Sequence, residues 1–511
     1  MGYYVELKDD ILNAINKAGI DYTKLKKIRD NLIPFSVLER ACNLNLNNRF
    51  CNINLQYVWF CLNKYYVYRK LSTGWKKFKV SFSDTYVENS RKNRNIVLRS
   101  YNSCKKPKSK VFSEMCGKHY VSIREYISGK NKIPLSVFLK SCQLLRKDPW
   151  IELNNCKIYS GSSARSKFII FKNRISTKLC VLLNWIKLEG NLNISGPRIS
   201  ISQNINEELC FEKLRRYCQE VFNIPKSSVK LNHHGKRLNI LIFTINSAPL
   251  RQILNLRFGI PLGYKSRKVK PNIPFNPGRE GLLEILASEL ETEGSFARHR
   301  KSNITHCDVS FSCYSKDYSL SVFKEFRELG YPVSFRVSRR ERFGIKEREY
   351  RTCFWGCLKI QKFAFEIMPY FHHLNKIANL VEVIKQKNYL KITRINMDDK
   401  IRKLIYKTKE KCGSFKLLTE RLNKEGLQIS HKAVEAWVHQ SNRISVYAIL
   451  KMCLIIGKED YFNYLPKELA LSLWLHGFID RETAENLRGI EKAYIHVDSL
   501  IKSGDRDGLV H

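Results

Sequence analysis

The stretch that decides the fold is Leu286-Ala287-Ser288-Glu289-Leu290-Glu291-Thr292-Glu293-Gly294. A related stretch lies earlier in the chain, Leu182-Leu183-Asn184-Trp185-Ile186-Lys187-Leu188-Glu189-Gly190. Both are mostly apolar, are preceded by further apolar residues, and are typical of buried helices. Both end in Glu-Gly. A repeat of a whole element predicts an internal duplication of the fold around it.

The residues that follow the two stretches are also parallel. Arg198–Ser202 and Asp308–Ser312 alternate polar and apolar side chains, which predicts strands with one buried and one polar face. An amphipathic helix follows each strand, and then two more strand segments and a closing helix. We therefore expect residues 176–270 and 279–375 to form two αββαββα units, and the fold class to be α+β.

The two stretches resemble the paired motifs of the LAGLIDADG homing endonuclease family, and the second is the better match. The segment Phe258–Ser266, which closes the first half, is also similar to archaeal members of the family. The resemblance covers both halves. It implies two pseudo-symmetric repeats in one monomeric chain, whose strands form a β-saddle in the major groove of double-stranded DNA.

The resemblance also implies an active site. In the family, the acid at the end of each motif holds Mg²⁺ or Mn²⁺, hard cations that prefer oxygen ligands. The metal-site residues would then be Glu189, Gly190, Glu293 and Gly294. Cations held there would polarise phosphates and activate water for phosphodiester hydrolysis. Family sites also have a basic residue near the metals, for which the candidates are Lys236, Arg237 and Arg351.

The polar strand faces supply candidate DNA-binding residues. In the first half these are Arg198, Ser200, Ser202 and Arg237. In the second half they are Ser310, Ser312, Arg336, Ser338, Arg339, Arg340, Lys346 and Arg348, with Asp308 and Ser334 on the same predicted face. Hydroxyl groups suit base edges and arginines suit phosphates. As a set, these side chains favour DNA as the partner.

The first stretch departs from the family pattern. The family usually has small residues where the two motif helices touch. Ala287 and Ser288 fit that pattern, but the first stretch has Leu183 and Asn184. Lys187 stands where an aspartate is often found. These departures favour a second hypothesis, a non-cleaving regulator that binds DNA with the same surface.

A second pattern recurs in the flanks. It starts at Ile33, Ile133 and Ile444 and ends nine residues later at Cys42, Cys142 and Cys453. Before the last two copies, two short helices joined by a turn resemble the helix-turn-helix of phage-repressor-like domains, whose second helix enters the major groove. A helical spacer is the alternative. The predicted divisions are 1–48 (helical, helix-turn-helix-like), 49–102 (unassigned), 108–150 and 395–460 (helix-turn-helix-like) and 461–511 (helical end-piece), with Ser103–Lys110 as a linker.

The charge of the chain favours a polyanionic partner. Ninety Lys and Arg residues stand against 47 Asp and Glu, a net charge of +43, and binding to phosphates releases counterions. The sequence has no apolar run of about 18 residues and no signal peptide. We therefore expect a cytoplasmic, nucleoid-associated protein that binds no membrane. The 16 cysteines show no zinc-ligand spacing, which predicts reduced, mostly buried thiols.

The sequence as a whole predicts a sequence-specific, metal-dependent endonuclease of the homing type that cuts both strands of DNA. Two alternatives stay open. One is the non-cleaving transcription regulator, which requires only the polar strand faces. The other is an RNA-binding maturase, whose partner is intron RNA.

Overall fold

The computed structural model describes residues 85–480 and 482–483, apart from gaps at 164, 194–195, 205–206, 235–236, 264–268, 302–303, 343–344, 386–388, 440–442 and 459, and also the strands at 3–6, 32–34, 66–71 and 74–79. The chain divides into two units, Met1–Pro277 and Gly278–His511. Both contain helices and small antiparallel sheets. The predicted α+β class is confirmed.

Two four-stranded antiparallel sheets with the same strand order open the first unit. The first contains β1 (Tyr3–Glu6), β2 (Leu32–Pro34), β3 (Tyr66–Leu71) and β4 (Gly74–Lys79) in the order β2-β1-β3-β4. The second contains β5 (Tyr86–Val87), β6 (Ile133–Pro134), β7 (Cys156–Tyr159) and β8 (Phe168–Phe171) in the order β6-β5-β7-β8. The region 49–102, which the sequence left unassigned, therefore supplies strands to both sheets.

Helices are inserted between and after the strands of the second sheet. They are α1 (Arg91–Ser103), α2 (Lys108–Cys116), α3 (Tyr120–Ser128), α4 (Leu135–Leu144) and α5 (Pro149–Glu152). Gly117 ends α2 in the left-handed conformation, with φ at 60°, so α2 and α3 form a helix–turn–helix. Residues 108–110, predicted to be part of a linker, instead form the first turn of α2.

The recurring Ile-to-Cys pattern marks the same local structure wherever it occurs. Ile33 pairs with Val5, Ile133 with Val87, and Ile444 with Ile395, each in a short antiparallel ladder. In the last two copies a helix follows at once and buries the cysteine at the end of the pattern. In these two copies the pattern therefore encodes a strand that runs directly into a core helix.

The rest of the first unit has the predicted order of elements. It contains α6 (Thr177–Leu188), β9 (Gly190–Leu192), β10 (Arg198–Asn204), α7 (Glu208–Phe222), β11 (Val229–His234), β12 (Arg237–Asn246) and α8 (Ala248–Leu256). Its antiparallel sheet has the order β11-β12-β10-β9. The closing segment returns to the sheet edge, where Gly263 N donates to Leu192 O over 2.9 Å.

The second unit begins with the same series. It contains α9 (Gly278–Glu293), β13 (Gly294–Lys301), β14 (Ile304–Cys313), α10 (Lys316–Glu328), β15 (Ser334–Arg342), β16 (Ile345–Trp355) and α11 (Cys357–Ile367). Its antiparallel sheet has the order β13-β14-β16-β15. If the four strands of each of these two sheets are numbered 1 to 4 along the chain, their spatial order is 1-2-4-3 in both sheets.

The second unit continues into a mainly helical part. Its elements are α12 (Leu374–Lys385), α13 (Tyr389–Ile392), β17 (Arg394–Asn396), α14 (Asp399–Cys412), α15 (Phe415–Lys424), α16 (His431–His439), β18 (Arg443–Ser445), α17 (Val446–Ile456) and α18 (Ala470–Leu475). From α13 onward one apolar core holds these elements together, built from side chains such as Leu404, Trp437 and Ile449. Of the predicted end-piece, residues 484–511 lie outside the described residues.

Two properties of the described residues bear on the setting of the protein. All twelve described cysteines are free thiols and eight of them are buried, so the prediction of mostly buried thiols is confirmed for this part of the chain. Over the same residues, no helix combines the length and the apolar character needed to cross a membrane.

Candidate nucleic-acid interface and metal site

Each motif helix ends in an acid followed by the glycine that begins a strand. Glu189 is the C-cap of α6, its backbone N–H donates to Trp185 O over 3.0 Å, and Gly190 opens β9. Glu293 is the last residue of α9, and Gly294 opens β13. Glu189 is half-buried and Glu293 is exposed. The two acids therefore occupy equivalent positions in the two units.

The glycines are required by the abrupt change from helix to strand. A Cβ atom at Gly190 would lie 2.8 Å from Ile186 Cα, and one at Gly294 would lie 2.6 Å from Leu290 Cα. Both distances are far inside van der Waals contact, because the strand folds back against the last helical turn. No side chain fits at either position, and this close approach fixes where the neighbouring glutamate lies.

Three acids lie in the second motif, and only the last is accessible. Glu289 is buried and accepts a hydrogen bond from Tyr318 Oη at 3.0 Å. Glu291 is also buried and accepts from the backbone N–H groups of His372 and His373. Burial, and then the nearby Glu289 carboxylate, raises the pKa of Tyr318 well above its usual range. Glu289 and Glu291 therefore hold the fold together, and Glu293 is the acid available for a ligand.

The residues at these helix ends fit a hard divalent cation. A carboxylate at a helix C-terminus adds to the negative end of the helix dipole, so a cation there is favourable. The donors are carboxylate oxygens, which Mg²⁺ and Mn²⁺ prefer. The described residues contain no cluster of three or more His, Cys, Asp or Glu side chains that could hold a metal. Substrate phosphates and water would therefore have to complete the coordination, as is usual for Mg²⁺.

The lysine that lies next to the second motif was missed by the sequence analysis. Lys376, on α12, donates through Nζ to the backbone carbonyl of Gly294. Gly294 was predicted to be a metal-site residue, and its backbone carbonyl oxygen accepts this hydrogen bond. Arg351, the basic residue predicted from the sequence, lies on the sheet instead. Of the other two candidates, Lys236 is outside the described residues and the side chain of Arg237 is outside the described part.

The departures in the first motif have a structural cause. Asn184 and Lys187 are buried, and both meet Asn272 in the segment after the first sheet. Asn272 Nδ2 donates to Asn184 Oδ1 over 2.7 Å, and Lys187 Nζ donates to Asn272 Oδ1 over 2.6 Å and to Pro271 O over 3.2 Å. These two polar residues therefore secure the segment that leads out of the first unit.

The sheet of the first unit has one polar face. Cross-strand pairing puts Ser200 beside Asn191 and Thr244, and Arg198 beside Asn246, and paired residues share a face. The exposed or half-exposed polar residues of this face are Asn191, Arg198, Ser200, Ser202, Asn204, Lys230, Asn232 and Asn246. None of the described side chains on it is acidic. Arg237 belongs to β12, but its side chain lies outside the described part.

A buried arginine shapes the start of this face. Arg251, on α8, is 1% exposed, and its Nη1 donates to the carbonyl oxygens of Asn193 (2.8 Å) and Gly196 (2.7 Å). Burial lowers the pKa of Arg251 to about 10. Its two bonds hold the loop from which β10 and Arg198 start. No sequence pattern marked this residue.

The sheet of the second unit also has a polar face, which contains the predicted residues. Ser310 is paired with Cys353, and Ser312 and Arg336 are both paired with Arg351. Arg351 Nη2 donates to Asp308 Oδ2 over 2.7 Å and to Ser310 Oγ over 2.9 Å. Since Ser310 is also paired with Ser295, the guanidinium lies on the part of the sheet next to the end of α9.

Arginines accumulate towards the far end of this sheet. Arg336 is exposed, with its guanidinium 5.0 Å from the ring centre of Trp355. Arg339 and Arg348 are also exposed and are directly paired across the two strands, but they lie on the opposite face of the sheet from Arg336 and Arg351. Like charges in such a pair repel each other. The side chains of Arg340 and Lys346, predicted for the same surface, lie outside the described part.

No protein-family model matches the chain, and no curated protein matches it.

Proposed function

We propose that this chain is a metal-dependent DNA endonuclease of the LAGLIDADG type. The observation that carries the proposal is the matched position of Glu189 and Glu293. Each is the accessible or half-accessible acid at the end of a buried helix, and each directly precedes a glycine that permits no side chain. The identical strand order of the two adjoining sheets, 1-2-4-3 along the chain, supports the same proposal.

The polar sheet faces would bind the DNA duplex. The face of the first unit has Arg198 and Lys230 with no acid among its described side chains, and the face of the second has Arg336, Ser338 and Arg351. Arginine and lysine side chains bind phosphates, while serine and asparagine side chains hydrogen-bond to base edges. Because the two faces differ in sequence, a single chain would recognise an asymmetric site. Together they would form the proposed β-saddle.

The acidic helix ends would carry out the hydrolysis. Divalent cations bound by Glu189 in the first unit and Glu293 in the second would polarise phosphodiesters and lower the pKa of attacking water. Arg351, oriented by Asp308, would donate to a phosphate oxygen near the second motif. Lys376, at Gly294, would add positive charge where the transition state gains negative charge.

The test is cleavage of duplexes selected from a randomised library, with Mg²⁺ and with EDTA. Glu189→Gln and Glu293→Gln keep the side-chain shape and remove one charge each. We expect wild-type protein to cut only with Mg²⁺, and both variants to bind DNA but lose cleavage by at least about a hundredfold. The matched controls are Glu208→Gln and Glu280→Gln, which change exposed glutamates in the first turns of α7 and α9. Full cutting by Glu293→Gln would overturn the proposal.

One observation favours a second candidate, the non-cleaving regulator. Lys187 lies two residues before Glu189, where it adds a positive charge at the end of α6 that the second motif lacks. Its ammonium group is held by Asn272 and Pro271, and a fixed positive charge in the last turn of this helix disfavours a metal cation nearby. Tight, sequence-specific binding of duplex DNA without cutting by the wild-type protein would establish this function. Preference for structured RNA over duplex DNA would establish the maturase instead.

A further inference from the structure

Residues 85–144 and 393–456 form two copies of one module. Each copy has a strand, three helices, a second strand and a fourth helix: β5, α1 to α3, β6 and α4 in one, and β17, α14 to α16, β18 and α17 in the other. The two strands pair in each copy. A hydrogen bond also recurs, from Leu135 N to Thr85 O (2.7 Å) and from Val446 N to Thr393 O (2.9 Å).

The second helices of the two helix–turn–helix motifs, α3 and α16, can be aligned by the positions of their buried residues. In α3 the buried residues are Ile123 and Tyr126. In α16 they include Val434 and Trp437, at the same positions from the start of the helix. This alignment matches Tyr120 with His431, Val121 with Lys432, and Arg124 with Glu435.

The matched outer residues of α3 are aromatic, apolar and cationic. Tyr120 is 45% exposed and Val121 is 44% exposed. Arg124 is exposed, and its guanidinium lies 5.6 Å from the centre of the Tyr120 ring. An arginine held over an aromatic ring keeps a fixed direction at little entropic cost.

The matched outer residues of α16 differ from those of α3 in charge, because an acid, Glu435, stands at the position matched to Arg124. His431 and Lys432 are exposed, and Glu435 Oε2 lies 3.7 Å from His431 Nδ1. The side chain of Glu435 is 46% exposed. Arg124 in one module therefore corresponds to an accessible carboxylate in the other.

In both modules, exposed basic side chains lie on or next to the helix that precedes this one. Lys105, Lys106 and Lys110 lie at and before α2, and Lys416, Arg421 and Lys424 lie on α15. Such side chains match the phosphates on either side of a groove. The occupant that fits both helices is therefore duplex DNA, with the second helix in the major groove.

We infer that the two modules recognise different base pairs, determined by Arg124 in one and Glu435 in the other. An arginine donates to guanine O6 and N7, and a carboxylate accepts from cytosine N4. Val121 can contact a thymine methyl group beside the guanine. This inference depends on the proposed binding of duplex DNA but not on cleavage.

The test is selection of binding sites from a randomised duplex library by the full chain in EDTA. The wild-type protein is compared with Arg124→Glu, Glu435→Arg and the control Arg99→Glu, which changes an exposed arginine on α1 away from α3. We expect each recognition-helix variant to lose preference for one base by about tenfold or more. Preferences at the other bases, and all preferences of the control variant, should match wild type.

Three results would overturn the inference. Unchanged base preferences in both variants would show that neither residue recognises a base. A uniform loss of affinity at every sequence would show that Arg124 contacts only phosphate. Failure of the wild-type protein to select any duplex would instead remove the proposed DNA function on which the inference depends. Thermal unfolding of each variant verifies that the module is intact.

Discussion

Arg351 Nη2 lies 2.7 Å from Asp308 Oδ2, and this ion pair fixes an arginine on the polar face of the second sheet. Ser310 Oγ accepts from the same nitrogen at 2.9 Å. Both side chains of the ion pair are partly exposed, so the contact orients the guanidinium more than it stabilises the fold. Asp308 therefore holds the Arg351 guanidinium in one orientation, which under the proposed function would limit its access to phosphates.

Releasing Arg351 should strengthen non-specific DNA binding. In Asp308→Asn no carboxylate offsets the positive charge of the Arg351 guanidinium. The guanidinium also loses the ion pair that orients it. We expect tighter binding to unrelated duplexes and a log K against log [salt] slope steeper by about one. The measurement is a salt titration of binding to specific and unrelated duplexes. Asp317→Asn, an exposed acid at the start of α10, is the control, and equal slopes for the two variants would contradict this role.

The opposed pair Arg339 and Arg348 should affect stability but not the proposed DNA binding. Replacing Arg348 with threonine relieves repulsion across the strands, so we expect the free protein to gain a few tenths of a kcal/mol, at most about 1. Because Arg348 lies on the sheet face opposite Arg336 and Arg351, we expect DNA affinity and its salt slope to match wild type. Thermal unfolding and a salt titration measure the two effects. A loss of stability would show that the arginines stabilise the fold, and a loss of affinity would show that this face also binds DNA.

The glycines after the motif acids should tolerate no side chain. Because a Cβ atom at Gly190 would overlap the preceding helical turn, we expect Gly190→Ala to lower the free energy of unfolding by about 1–3 kcal/mol. Denaturant unfolding measures this. Gly196→Ala is the control in the same unit, since a Cβ there meets nothing within 4 Å. Equal stabilities of the two variants would show that the helix end can relax.

Arg251 should be needed to shape the start of β10. Arg251→Met keeps the length and the apolar stem of the side chain but leaves two carbonyl oxygens without its hydrogen bonds. Each buried polar group left in this way costs about 1–3 kcal/mol, so we expect a marked loss of stability. We also expect faster amide exchange in the loop before Arg198, measured by hydrogen–deuterium exchange. Amide exchange at the wild-type rate in Arg251→Met would show that Arg251 does not hold this loop.

Elements with regular periodicity were predictable from the sequence, and contacts between distant residues were not. The motif helices and the alternating strands could be recognised because their apolar residues recur at fixed spacings. The strands β9 and β13 were not singled out, because each begins at the glycine that ends a helix and no turn separates them. Local composition has no feature that marks such a junction.

In the candidate site, too, local features were predictable from the sequence and contacts between distant residues were not. The positions of Glu189 and Glu293 at the helix ends follow from local sequence. The partners of Asn184 and Lys187 do not, because Asn272 lies 85 or more residues away in the chain. Lys376 was missed for the same reason, since it reaches Gly294 from a helix 82 residues further on. Pairing partners of the short strands β1 and β3 are similarly non-local.

The most direct test of the central claim is Mn²⁺ binding to the DNA complex, followed by electron paramagnetic resonance. Mn²⁺ has the same oxygen-ligand preference as Mg²⁺ and is observed whether or not cleavage occurs. We predict that Glu189→Gln and Glu293→Gln each weaken Mn²⁺ binding to the complex, while Glu208→Gln and Glu280→Gln leave it as in wild type. Unchanged Mn²⁺ binding in both motif variants would contradict the assignment of these acids as metal ligands.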